Sequence, residues 1–93
     1  MTRDEIEAKV LTVFSEQFEI ENPDLDDNLR DVHEFDSIDA IELLREIEVM
    51  LGSELTRDEK KQAMEITTIN QIVDYAMSLE ATRASEASPV ANH

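Results

Sequence analysis

Three threonines, Thr2, Thr56 and Thr68, each stand three residues ahead of a Glu or Gln: Glu5, Glu59 and Gln71. In that pattern the hydroxyl and the longer side chain satisfy each other's backbone donors at the start of a helix. Each start leads into a run with helical spacing. Ile6, Val10, Phe14 and Phe18 follow one another at intervals of four and stack on one face. They predict a first helix over about Arg3 to Phe18. A second helix is expected from about Ser37 to Leu51, ending at Gly52, the single glycine of the chain and a natural C-terminal cap. A short third helix follows Thr56 and fades near Met64. A fourth runs from about Ile69 to Leu79, with Ile69, Ile72, Val73, Ala76 and Met77 as its apolar stripe. Alternating strand-like runs and turn glycines are missing, so the expected fold is all-α, a four-helix bundle.

Between the first two helices, Glu21 to Phe35 holds Asn22-Pro23-Asp24 and scatters Leu25, Leu29, Val32 and Phe35 without a helical period. This reads as a long ordered loop pinned by those side chains, and such loops in small domains are often functional. From Ala81 onward the residues are small and polar. The expected division is a helical domain over 1–80 and a flexible tail over 81–93. A body of roughly 80 residues buries only about 60% of its unfolded surface, enough for one thin core and too little for a deep catalytic cleft.

Twenty-three acidic residues against eight basic ones leave a net charge of −15. Nucleic acid is therefore an improbable partner, because its affinity comes from Lys and Arg neutralising phosphates. An anionic membrane surface is disfavoured for the same reason. The charge keeps a small protein in solution and can also steer it toward basic patches on partner proteins. With no cysteine there is no disulfide scaffold and no thiolate chemistry. No apolar stretch reads as a signal peptide or a membrane span, so a cytoplasmic location without membrane insertion is the expectation; the chain is expected to act as a monomer.

The second predicted helix is the most informative segment. At about 100° per residue, Leu43, Ile47, Leu51, Leu44 and Ile41 fall in one broad arc that should face the core. Asp39, Glu42 and Glu46 form a separate acidic stripe, with Ile38, Arg45 and Val49 between stripe and arc. An exposed apolar residue is ordinary by itself. Ile38 coupled to a linear acidic stripe reads as a partner-docking face. At the helix start, Asp36 is placed as the N-cap and Asp39 three residues on, so Ser37 becomes the first helical residue. A phosphate attached there would gain about 0.3–1 kcal/mol from the helix dipole. Taken alone, the tetrapeptide Asp36-Ser37-Ile38-Asp39 reads as an ordinary first turn.

That tetrapeptide, opening the second helix of a small acidic domain, is similar to the signature of acyl carrier proteins. Two further features match: Ile66-Thr67-Thr68-Ile69 followed by Asp74-Tyr75, which resembles the family's approach to its last helix, and a first helix ending well before the serine with a long loop between. The likeness spans about Arg3 to Glu80. It implies that Ser37 receives 4′-phosphopantetheine from coenzyme A, and that the arm's thiol tethers acyl groups for other enzymes by raising their effective concentration. It further implies a phosphopantetheinyl transferase and acyl-transferring synthases with basic docking patches as partners. Partner recognition would fall on Asp36, Ile38, Asp39, Glu42 and Glu48, with Glu46 added by the stripe. Ile41, Leu44, Ile47, Met64 and Ile66 would line an acyl cavity. The sequence departs from the family where Leu-Gly is common just before the Asp-Ser pair: here stand His33-Glu34-Phe35, so the turn must form without glycine and Phe35 takes the leucine's place in the core. Arg45 also stands where an apolar contact is common. These departures leave open a specialised carrier for polyketide or lipid synthesis beside one for fatty acids.

Other classes fit less well. Asp24, Asp26 and Asn28 alternate as in a calcium loop, but Leu29 occupies the required glycine position and Phe35 the final glutamate position. An enzyme would need a nucleophile elbow, a glycine-rich phosphate loop or a His pair at ligand spacing, and none is present. His33, four residues before Ser37, reads as a loop packing residue. The remaining rival is an acidic helical adaptor that binds partners without modification and differs from a carrier only at Ser37.

Overall fold

Thr2 opens the first helix as its spacing requires. Its hydroxyl accepts the Glu5 amide at 3.2 Å, and the Glu5 carboxylate accepts the Thr2 amide at 3.0 Å. The structure, a computed structural model, describes residues 2–86. Its regular elements are five helices: α1 (Arg3–Phe18), α2 (Leu29–His33), α3 (Ser37–Leu51), α4 (Arg57–Ala63) and α5 (Ile69–Glu86). The same reciprocal cap forms at Thr56 with Glu59 and at Thr68 with Gln71. Gly52 ends α3 at φ 71°, where a side chain would be strained.

Two departures from the expected plan have physical causes. The segment read as a loop contains α2, a single five-residue helix. It is too short for apolar periodicity to reveal, and it depends on Asn28, whose side chain accepts the Arg30 and Asp31 amides at 3.0 and 3.1 Å. The rest of that segment is tied to the start of α5. Leu29 donates its amide to the Thr67 carbonyl at 2.9 Å, Asn70 donates to the Leu25 carbonyl at 3.0 Å, and the Asn70 side chain reaches Asp26 at 2.6 Å.

The second departure is at the other end. The tail expected from Ala81 is helical through Glu86; residues 87–93 of that expectation lie outside the described residues. Arg83 explains the continuation. Its guanidinium meets the Glu59 carboxylate in a two-pronged pair at 2.9 and 3.0 Å, donates to the Glu54 carbonyl at 2.9 Å and also bonds the Ser53 hydroxyl. An ion pair to a residue on another helix leaves no periodic trace in the sequence. Arg83, together with the Thr56 amide, lowers the Glu59 carboxyl from its ordinary 4.5 to about 2. Because the folded value is depressed, this stabilisation is complete above pH 4.5 and is lost as pH falls through about 2. Glu59→Gln should therefore cost about 1–2 kcal/mol at neutral pH. Thermal melts in increasingly acid buffer should show variant and wild type converging.

The core is one cluster. Ile6, Val10 and Phe14 of α1, Leu43, Leu44 and Ile47 of α3, and Ile69, Ile72, Val73, Ala76 and Leu79 of α5 are buried together. Helix α1 packs on both α5 and α3. Three rings knit the loop to this body: Phe14 stacks on Phe35 with centroids 5.5 Å apart, and Phe18 meets both edge-on at 5.3 Å. Helix α4 buries no side chain of its own. It lies on the body through its flanks and its polar clamp.

Candidate functional site

The start of α3 is built by a pair of aspartates. One carboxylate oxygen of Asp36 accepts the Ile38 and Asp39 amides, both at 3.0 Å, and Asp39 returns the bond by accepting the Asp36 amide at 3.1 Å. This reciprocal cap makes Ser37 the first helical residue and leaves its side chain exposed. The chain reaches that point through a sharp reversal. Glu34 caps the end of α2 in the left-handed conformation, φ 55°, ψ 32°. Phe35 then turns into the core, and the backbone emerges again at Asp36.

Glu34 occupies the place where glycine was expected from the family likeness, and it adopts the conformation glycine would favour. A side chain there strains the backbone. Glu34→Gly should raise the unfolding free energy by about 0.5–1 kcal/mol. A urea melt would show this as a higher midpoint with an unchanged slope.

The face expected to meet partners divides into two groups. Ile38 and Val49 are 70% and 77% exposed, and Arg45 and Glu42 are exposed beside them, with Glu46 half-buried. Asp36 and Asp39, by contrast, are engaged in the cap. Glu48 is likewise committed, accepting the Leu55 amide at 2.8 Å and so tying the α3–α4 connection to α3. The side chains of this set without such a backbone bond are therefore Ile38, Glu42 and Glu46.

On the opposite side of α3 lies an apolar cavity of about 30 Å³, room for little more than a water-sized group. Leu44, Ile47, Met64 and Ile66 are among its lining residues. Ile41 is not, and is 49% exposed. It sits about 100° around the helix from the direction set by Leu43, Leu44 and Ile47, and Ala40 faces the cavity in its stead. Sequence reasoning also missed Leu29, Phe35, Ile72 and Tyr75 as wall residues. They come from three other parts of the chain, and only the pinned loop brings the first two across. Ala40 has the right helical phase and could have been found by it.

The residues behind the rival readings are engaged elsewhere. Asp24 accepts the Asp26 amide at 3.0 Å, Asp26 bonds Asn70, and Asn28 caps α2. His33 packs beside Asp27, with its Nε2 3.6 Å from the carboxylate. Among the described residues no group of three or more His, Cys, Asp or Glu could hold a metal ion, and no helix is long and apolar enough to cross a membrane.

The family model that matches this arrangement is described as a phosphopantetheine attachment site, and it covers residues 8–76. The class is thus a small helical carrier domain, defined by the group it bears. An acyl carrier protein of Lactobacillus johnsonii is 32% identical over 80 residues, covering 84% of this chain and 96% of the relative. One from Rubrobacter xylanophilus is 30% identical over 79 residues, covering 83% and 94%. No solved structure gives a significant match. The chain belongs to the acyl carrier protein family. Such proteins carry rather than catalyse, and the group they carry on is covalently bound 4′-phosphopantetheine. An exposed hydroxyl fixed at the amide end of a helix is chemically suited to such a phosphodiester.

Proposed function

We propose that Ser37 is the attachment point and that the chain presents acyl groups to fatty-acid, polyketide or related synthases. The observation that carries this reading is the exposed Ser37 hydroxyl at a doubly capped helix start, within a chain of this family. When bound, the arm supplies a terminal thiol that holds an acyl group as a thioester.

The chain's own residues do the positioning. Asp36 and Asp39 fix the first turn of α3, so the Ser37 hydroxyl stands at one place for a transferase to find. The Ile38 and Asp39 amides are already bonded to Asp36. A phosphate on Ser37 would therefore feel the helix dipole without those two donors gripping it, which leaves an attached arm free to swing. Glu42 and Glu46 supply the charge for basic patches on partners, and Ile38 the apolar contact. The cavity behind Ala40 would take an acyl chain, methyl end first, after its walls move apart. We place this activity in the cytoplasm, by a monomer.

Intact-mass measurement after incubation with coenzyme A, magnesium and a broad-specificity phosphopantetheinyl transferase tests the reading. A gain of one phosphopantetheinyl group is expected. No gain with several transferases would favour the unmodified adaptor. Docking is best probed at Glu42, because reversing Asp39 would also break the cap. Glu42→Lys should slow the transfer several-fold, with the larger effect at low salt. Equal rates at both salt concentrations would remove Glu42 from the docking face.

A further inference from the structure

We propose that Arg83, Glu59 and Tyr75 form a clamp that closes the deep end of the cavity and so limits how long an acyl chain this carrier can bury. The inference rests on the cavity being the acyl site, as proposed above.

The cavity follows α3 from Ala40, one turn beyond Ser37, to Ile47. That stretch is about 10 Å of helix, comparable to a medium-length acyl chain. At about 30 Å³ the space must widen before it holds any chain, so the question is which wall can move. Ile72 and Tyr75 belong to α5, which is packed on α1. Leu44 and Ile47 are buried in α3. Leu29, Phe35 and Leu43 are buried as well, Phe35 stacked on Phe14, so the remaining wall, Ala63, Met64 and Ile66, belongs to the end of α4 and the segment after it. Met64 is 51% exposed, and α4 has no buried side chain to hold it down.

Helix α4 is not equally loose along its length. Near the Ile47 end, Glu48 holds the Leu55 amide. Arg83 grips the Glu59 carboxylate with two bonds and fastens Ser53 and Glu54 as well. The Tyr75 hydroxyl donates to the Glu59 carbonyl, fixing the ring that lines the cavity. Burial and the Glu59 charge push that hydroxyl up to about 12, so it stays a donor across the ordinary pH range. The Met64 end can therefore swing outward while the Glu59 end stays pinned. The cavity widens at its mouth and remains shut beneath Ile47.

The test uses the full chain, loaded at Ser37 with acyl groups from butyryl to palmitoyl, and reads the melting temperature. In the wild type it should climb up to the medium lengths and then level off, because further methylenes remain in water. In Arg83→Met and in Tyr75→Phe, which keeps the ring and loses only its bond, the climb should continue to longer chains. Hydrogen exchange on the unloaded proteins should show the α4 amides about tenfold faster in Arg83→Met, with α1 unchanged. Superimposable length profiles in loaded wild type and variants would overturn the clamp and leave the carrier reading intact. Uniform acceleration of exchange across all helices would also overturn it, since Arg83 would then support the whole fold. Failure of Ser37 to load at all would remove the carrier reading and this inference with it.

Discussion

Ser37→Ala is expected to abolish the phosphopantetheinyl mass gain completely while leaving helix content unchanged and stability within about 0.5 kcal/mol of the wild type. The contrast follows from the division of labour at the start of α3. The cap is made by Asp36 and Asp39 alone. Ser37 is the exposed first helical residue, and alanine is the better helix former. On the proposed reading the hydroxyl should thus be dispensable for folding and indispensable for attachment. Asp36→Ala should behave in the opposite way, costing about 1 kcal/mol of stability through the lost cap and slowing modification without ending it. A mass gain that survived in Ser37→Ala would put the arm on another side chain and end the assignment.

The outline of this fold was legible because its signals are local. Each capping pair spans three residues, and the apolar stripes of α1, α3 and α5 repeat within a few turns. Reciprocal caps at Thr2, Thr56 and Thr68 are all present. The helix start at Ser37, the proposed attachment point, was legible for the same reason. The cap, the first-turn position and the acidic motif all lie within four residues.

What escaped the sequence is non-local or small. Helix α2 has a cap in Asn28 but too few residues for a period, and its order comes from Thr67 and Asn70 on the far side of the chain, which bond Leu29 and Leu25. Arg83 sits among small polar residues, and its role appears only when Ser53, Glu54 and Glu59 are folded against it. Ile41 lies at the edge of the apolar arc of α3 and Ala40 near its centre, so Ala40 and not Ile41 faces the cavity. Glu48 shows a further limit. A carboxylate on a charged helix looks like surface, yet this one holds the Leu55 amide. In an acidic chain the sign of the charge is readable, but which carboxylates are structural is not.

The largest loss of stability is expected at Phe14, where α1 and the segment leading to Ser37 meet. Phe14 is fully buried, stacked on Phe35 and met edge-on by Phe18. Phe14→Ala should cost about 3–5 kcal/mol, the removed ring's transfer energy plus the cavity it leaves. Against the about 5–15 kcal/mol that hold a typical domain together, that is enough to bring this one close to unfolding, and a urea melt would measure it. The effect should also reach the site. Phe35 immediately precedes Asp36, and its seat against Phe14 and Phe18 fixes where the backbone emerges after the strained turn at Glu34. Phe14→Leu, which keeps most of the apolar volume and removes the stacking, should fold at a cost of about 1–2 kcal/mol and accept the arm more slowly than the wild type. If Phe14→Leu lost stability with no change in the rate of modification, the ring cluster would support the core alone, and the position of Ser37 would be set entirely by the aspartate cap.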